Sequence, residues 1–350
     1  MALTLHGTVS DNTVALDRKT ATPLIINGDM QIAQRGTSAT GLTNGSSGYH
    51  TCDRWNFEEF GAPSFAFTQT QSTDVPTGQG FTKSLKMDCT TAQGSLAAAD
   101  ALRIDQRVEG QNLQYLKKGT SSAEAVSVSF WVKSNKTGTY IFEMFDQDNS
   151  RAISTAYTIS SSDTWEKKVI PIPGDTTGAF DNDNARSLDI NWWLCSGTDK
   201  TSGTLQTSWV SNTNANRLVG QVNLADNTSN EWYITGVQLE VGTLDANNIP
   251  DFQFEDVGTS LMRCQRYCYA WANYGGGNDS SNRQYSARYG NTGSFIRIHY
   301  PTQMRTEPSI TYSEASGAVS TDFSTPSNLQ FFDNDDDSWY LYDVLAEAEL

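Results

Sequence analysis

The chain is poor in the features that most enzymes, membrane proteins and disulfide-stapled domains are built on. Its five cysteines, Cys52, Cys89, Cys195, Cys264 and Cys268, are odd in number and scattered, with no C-x-x-C pair. That argues against a disulfide framework and a zinc site, and implies buried free thiols made in a reducing compartment. No run approaches the roughly 18 apolar residues of a membrane-spanning helix, so no membrane insertion is expected. The opening MALTLHGTVSDNTVALDRKT has no apolar core of the signal-peptide kind. No G-x-S-x-G, H-E-x-x-H or G-x-x-x-x-G-K occurs, and the three histidines, His6, His50 and His299, are isolated. Basic residues are few: 24 Lys and Arg stand against 40 Asp and Glu, a formal charge of -16. Such a surface repels nucleic acid and anionic membranes, and favours divalent cations.

What is present is aromatic and turn-rich. Aromatic residues make up 11% of the chain, with 9 Trp and 14 Tyr, too many for a disordered segment. Gly, Ser, Thr and Asn recur throughout, the texture of short strands joined by turns, so the fold class expected is all-β. Val126, Val128, Phe130 and Val132 alternate with polar residues and with Trp131 on the opposite side. Leu188, Ile190, Trp192 and Leu194 alternate likewise with Asp189, Asn191 and Trp193. Strands at near-regular spacing predict one sandwich over residues 25–244. Residues 1–24 hold too few apolar side chains to own a core, and are expected to be an attachment arm. Residues 245–350 are expected to be a linker, a short helix and a smaller C-terminal β-domain. On that helix Val257, Leu261, Cys264, Cys268 and Trp271 follow a 4-3-4-3 spacing, the pattern of a short subunit seam or of an ordinary amphipathic helix packed on its own domain.

Several phrases resemble a recurrent family of bacteriophage virion proteins. They are Ile25-Ile26-Asn27-Gly28-Asp29-Met30-Gln31-Ile32-Ala33-Gln34-Arg35-Gly36 with Asp53-Arg54-Trp55, then Ser129 to Ser134, then Trp165 to Gly178. Further on come Trp232 to Gly242, Arg263-Cys264-Gln265-Arg266-Tyr267, Pro301 to Arg305 with Pro308, and the closing Ala348-Glu349-Leu350. The resemblance covers residues 25–350. It implies a tail-fibre-like structural protein of the virion, assembled in the host cytoplasm, whose central module is similar to the jelly-roll of carbohydrate-binding modules. It implies no catalytic residues and no obligatory cofactor. Head fibre, capsid decoration or neck decoration is the architectural alternative, and a polysaccharide depolymerase using Glu58-Glu59 or Glu143 with Asp146 is a further one.

The expected partners follow from that reading. The chain is expected to be a homotrimer with the Val257–Trp271 helix near its axis, to meet other virion proteins through residues 1–24, and to contact a host-surface glycan. Flat rings beside planar polar groups suit sugars, so Trp131 and Trp193 with Asn191, Asp189 and Lys133 form the candidate platform. Cover by another domain or subunit is the alternative for that face. Similarity to carbohydrate-binding jelly-rolls also implies a structural calcium, for which Asn27, Asp29 and Glu240 supply oxygens; turn chemistry at Asn27-Gly28-Asp29 is the alternative.

Overall fold

The computed structural model describes residues 22–271, 274–275, 283–288, 294–315, 320–333 and 340–350. The expected arm lies outside these residues apart from 22–24, as does most of the acidic run 333–337. Two antiparallel sheets stack as a sandwich, and alternation along each strand decides what lies between them. Sheet one has the order β1 (Ser38–Leu42), β4 (Ala66–Ser72), β5 (Ser84–Thr91), β13 (Glu231–Val241), β7 (Val126–Ser134), β10 (Glu166–Ile172). Sheet two has the order β12 (Val210–Ser211), β9 (Arg151–Ile159), β8 (Gly138–Asp146), β11 (Arg186–Ser196), β6 (Ala101–Glu109), β3 (Asn56–Phe60), β2 (Gly48–Tyr49). Val128, Phe130 and Val132 from β7 meet Ile190, Trp192 and Leu194 from β11 in one buried core. Trp192 sits at its centre, with ring centroids 5.5 Å from Trp55, 5.7 Å from Phe130 and 5.3 Å from Phe142. Such aromatic pairs add about 0.5–1.5 kcal/mol each beyond the area they bury.

Two of the phrases singled out in the sequence interlock here. The register of β13 on β7 slips between Thr235 and Gln238, a bulge in which Gly236 has φ +61°. The bulge frees the Val237 amide to bond the Gly28 carbonyl at 2.9 Å. A Cβ on Gly28 would lie 2.1 Å from the Val237 oxygen, so only glycine permits that approach. The apolar run Leu24–Ile26 forms no strand. Ile26 is held instead by the Gln106 side-chain amide, which accepts from its N–H at 2.8 Å and donates to its carbonyl at 2.9 Å.

After the sandwich the chain forms the helix α2 (Val257–Gln265); α1 (Thr198–Thr201) is a single turn above sheet two. The Asp256 carboxylate caps α2 by accepting from the amides of Gly258 and Thr259. The 4-3-4-3 spacing does not describe one continuous helix. α2 stops at Gln265, and Cys268 and Trp271 lie on the next strand, β14 (Cys268–Trp271). β14 pairs with β21 (Tyr340–Glu347), which also pairs with β15 (Gln284–Tyr285) and β18 (Ser309–Ala315). A further sheet holds β16 (Ala287–Arg288), β17 (Ser294–His299), β20 (Asn328–Asp333) and β19 (Ser320–Ser324) in that order. Ile296, Ile298, Leu329, Phe331, Leu341 and Val344 make a second, separate core. The molecule is thus all-β: a jelly-roll-like sandwich, a short helix and a smaller C-terminal β-domain.

The expected seam residues mostly face their own chain. Cys264 and Cys268 are fully buried, with burial pushing both thiols well above the usual range. Trp271 packs on the C-terminal core and Leu261 is half-buried, leaving Val257 as the exposed member.

The C-terminal domain is fastened to the sandwich by buried ionic contacts from the same phrases. Glu109 accepts from Arg266 at 2.8 and 2.7 Å and from the Tyr267 hydroxyl at 2.5 Å. Glu349 pairs with Arg54 and with Arg35, the latter at 2.9 Å. The Arg54 guanidinium lies over the Tyr267 ring, 3.5 Å from its centroid. Asp53 accepts from the Gln34 amide at 3.0 Å; burial pushes its carboxyl up to about 6 despite Arg35 and Gln34.

Candidate functional site: the two outer faces of the sandwich

On sheet two the outward residues of β11 are Asp189, Asn191 and Trp193. All three are fully buried: residues 197–222 fold back over Trp193, and Asp189 is enclosed by Arg103, Gln147 and Arg186. Arg217 from that segment binds Glu143 of β8 through two bonds of 2.7 Å, and the same carboxylate accepts from Asn191 and from the Trp193 indole at 3.0 Å each. The Trp193 ring lies between two guanidiniums, those of Arg103 and Arg217, each 5.3 Å from its centroid. Asp189 pairs with Arg186 and Arg103. Burial pushes the Glu143 carboxyl up, but Arg217, Arg103 and the indole bond outweigh it and hold the carboxyl below its usual range. Asp146 belongs to another network, accepting from Lys118 and Asn149. Glu143 and Asp146 therefore do not face each other as an acid pair.

On sheet one the register builds a row across the outer face. Tyr233 of β13 stands opposite Lys86 of β5 and Lys133 of β7, and Trp165 enters β10 beside Lys133. The Lys133 ammonium lies 4.3 Å from the Tyr233 ring centroid and 5.8 Å from that of Trp165. Asp74, on the loop crossing this face, pairs with Lys133 and accepts from the Trp165 indole at 2.9 Å. Glu231 accepts from Lys86 at 2.6 Å and from the Tyr233 hydroxyl at 2.6 Å. Burial raises the Asp74 carboxyl, but the bonds from Lys133 and Trp165 and the nearby lysine charges together hold it below its usual range. In the next row Trp131 stands between Thr235 and Lys167, half-buried. Trp165 is also half-buried, and the Asp74 side chain is 44% exposed. Trp131, Trp165 and Asp74 thus reach solvent here, while Tyr233 and Lys133 are buried.

The expected platform of Trp131 with Trp193 is therefore divided. Trp131 and Lys133 lie on sheet one, and Trp193, Asn191 and Asp189 lie on sheet two, on opposite outsides of the sandwich. β7 and β11 share a core through their inward residues, so their outward residues point apart. Tyr233, Trp165 and Asp74 join Trp131 and Lys133, three residues outside the expected platform. The signal was available: Tyr233 alternates with the buried Trp232 and Ile234.

The residues chosen for calcium do not fit a shared ion. The Asn27 side chain is spent on its turn: its oxygen accepts from the Ile32 amide at 2.9 Å, and its nitrogen donates to the Ile32 and Asp53 carbonyls at 2.9 Å each. Asp29 and Glu240 line one small cleft with Glu255. Burial raises the Asp29 carboxyl above its usual range, outweighing two backbone hydrogen bonds that lower it. Among the described residues no group of three or more His, Cys, Asp or Glu is placed to hold a metal. Elsewhere, a set of hard oxygens surrounds the chain's own ammonium at Lys118: the Gly178 carbonyl at 2.7 Å, the Thr177 carbonyl at 3.0 Å, Asp175 at 3.1 Å and Asp146.

No protein-family model and no curated protein matches the chain. Solved structures of similar outline include the enzymatically active domain of tailspike protein 4 from bacteriophage CBA120. It is 15% identical with a TM-score of 0.34 over 63% of this chain, which spans only 21% of that one. A family 11 carbohydrate-binding module of a Clostridium thermocellum cellulosomal cellulase aligns over 59% of this chain and 96% of its own, at 11% identity and a TM-score of 0.30. A module solved with β-1,4-galactotriose aligns over 63% of this chain and 100% of its own, at 10% identity and a TM-score of 0.31. Likenesses this distant carry nothing about function, and the sandwich assignment rests on its own sheets.

Proposed function

We propose that the chain is a tail-fibre-like structural protein of a bacteriophage virion that attaches the particle to a host-surface glycan through the outer face of sheet one. The observation that supports this most is the pair of half-buried rings Trp131 and Trp165 with the exposed Asp74 beside them, set on a row in which Lys133 and Tyr233 are buried and Lys86 and Glu231 stand at the margin. Rings offer apolar faces to sugar C–H groups, and the fixed carboxylates and ammoniums offer bonds to hydroxyls. A single such face binds weakly, so the reading includes a homotrimer whose copies act together, with residues 1–24 docking on other virion proteins. It includes no catalysis and no cofactor. The architectural alternative draws on the buried ionic junction at Glu109, Arg266, Arg54 and Glu349, which suits a rigid spacer.

The test is adsorption of particles carrying Trp131→Ala with Trp165→Ala. Adsorption to host cells should fall at least tenfold while the melting temperature of the isolated protein moves little. Normal adsorption by folded double-variant particles would favour the architectural role.

A further inference from the structure

A second site lies away from sheet one, where the sandwich meets α2. A cleft of about 360 Å3 opens there, within the size range of small-molecule sites, which favour domain junctions. Among the described residues its lining includes Arg107, Arg263 and Arg266 and no Asp or Glu. That is the reverse of the chain as a whole, which carries a net charge of -16.

The carboxylates stand behind the guanidiniums and fix them. Arg266 is held by Glu109 at 2.8 and 2.7 Å, Arg263 by Glu255 at 2.6 Å and the Pro23 carbonyl at 2.5 Å, and Arg107 by Asp105 at 3.0 Å and Glu58 at 2.8 Å. A guanidinium has five N–H donors. The bonds named take two apiece at Arg263 and Arg266, so both keep donors to spare on the lining. Because each guanidinium is already paired with a carboxylate, a ligand here would meet donors rather than a broad positive field. Leu24, Val108 and the half-buried Tyr115 ring supply an apolar wall, and burial keeps the Tyr115 phenol neutral by pushing it up to about 12. Asn112 stands exposed on the lining.

We infer that this cleft binds a compact anion carried on a small polar body, a carboxylate-bearing sugar of the uronic-acid class. An oxyanion satisfies the spare guanidinium donors, and the sugar ring fills the remaining volume against Tyr115 and Val108. A phosphate offers the same anionic chemistry without the ring. The inference does not rest on the reading of sheet one.

Calorimetric titration of the full chain with sodium galacturonate, galactose and inorganic phosphate tests it. Galacturonate should bind at least tenfold more tightly than galactose. Asn112→Asp, which places a carboxylate at the exposed edge, should weaken galacturonate at least tenfold without moving the melting temperature. Arg263→Gln should weaken galacturonate and leave galactose unchanged, an independent reading if the first variant folds poorly. Phosphate binding as tight as galacturonate would keep the anion site but assign it to phosphate. Equal binding of galactose and galacturonate, no binding of any probe, or indifference to both substitutions would overturn the inference. Galacturonate binding that persists in the Trp131→Ala, Trp165→Ala protein separates this site from the sheet-one face.

Discussion

Trp193 on sheet two and Trp165 on sheet one both meet a cation and a carboxylate, yet their situations differ in kind. Trp193 is sealed between Arg103 and Arg217 under residues 197–222, its indole bonded to a fully buried Glu143. Trp165 is half-buried, and its indole bonds an Asp74 that is 44% exposed. The residue types are nearly the same. What differs is the cover, and cover changes the energetics: a buried ion is bound to its partner because water cannot replace it, whereas an exposed one can be rehydrated. The closed face is therefore a stability element, whereas Trp165 and Asp74 on the open one remain in reach of solvent.

Breaking the closed face should produce the largest effect. Arg217→Ala leaves Glu143 buried without its cation, and losing one partner of a buried pair costs about 3–5 kcal/mol. Urea unfolding of the purified variant should show that loss. A change under about 1 kcal/mol would mean that water reaches Glu143, and the two faces would not differ as described.

Acid should separate the faces next. Glu143 and Asp74 are both held below their usual range, so each stabilises the folded state fully above its unfolded pKa, about 4.3 for Glu and 3.9 for Asp. Each contribution is lost as pH falls through the folded-state value. Asp53 has the opposite sign: its carboxyl is raised to about 6, so it favours folding as pH falls from 7 toward 4. Stability measured from pH 7 to 3 should therefore hold or rise slightly before dropping steeply. Glu143→Gln should flatten the drop. Asp74→Asn should leave it almost intact, since solvent screens an exposed pair.

How much of this was legible beforehand follows the same division. The strands that alternate cleanly, β7, β11 and β13, could be read directly, because one side of each is apolar. β1, β6 and β9 could not. β1 is an edge strand of Ser, Ala, Thr and Gly with Leu42 alone buried, and in β6 Gln106 interrupts the inward row of Leu102, Ile104 and Val108. Alternation also fixed that Trp131 and Trp193 point away from the core. It could not say that β7 and β11 belong to different sheets, because pairing is a long-range property that period-two patterning does not carry. Nor could it show the cover over Trp193, which comes from Arg217 and Leu218, distant in the chain and polar in context. The helical spacing through Trp271 misled because two buried cysteines, one on α2 and one on β14, matched the heptad by coincidence of count.

The smallest effect should come from Lys133→Met, and it sharpens the comparison most. Lys133 pairs with Asp74 and lies 4.3 Å from the Tyr233 ring centroid. Methionine keeps most of the aliphatic stem that packs on Tyr233, and the abandoned Asp74 carboxylate gains water at no structural cost. Lys133 and Tyr233 are themselves buried, but the Asp74 partner is 44% exposed, and an ion pair open to water on one side contributes roughly 0–1 kcal/mol, with a cation–ring contact adding about 0.5–1 kcal/mol. Unfolding free energy should thus change by under about 1 kcal/mol, several-fold less than at Arg217. A loss matching that of Arg217→Ala would make sheet one a second sealed network, and the argument for placing a glycan there would go with it.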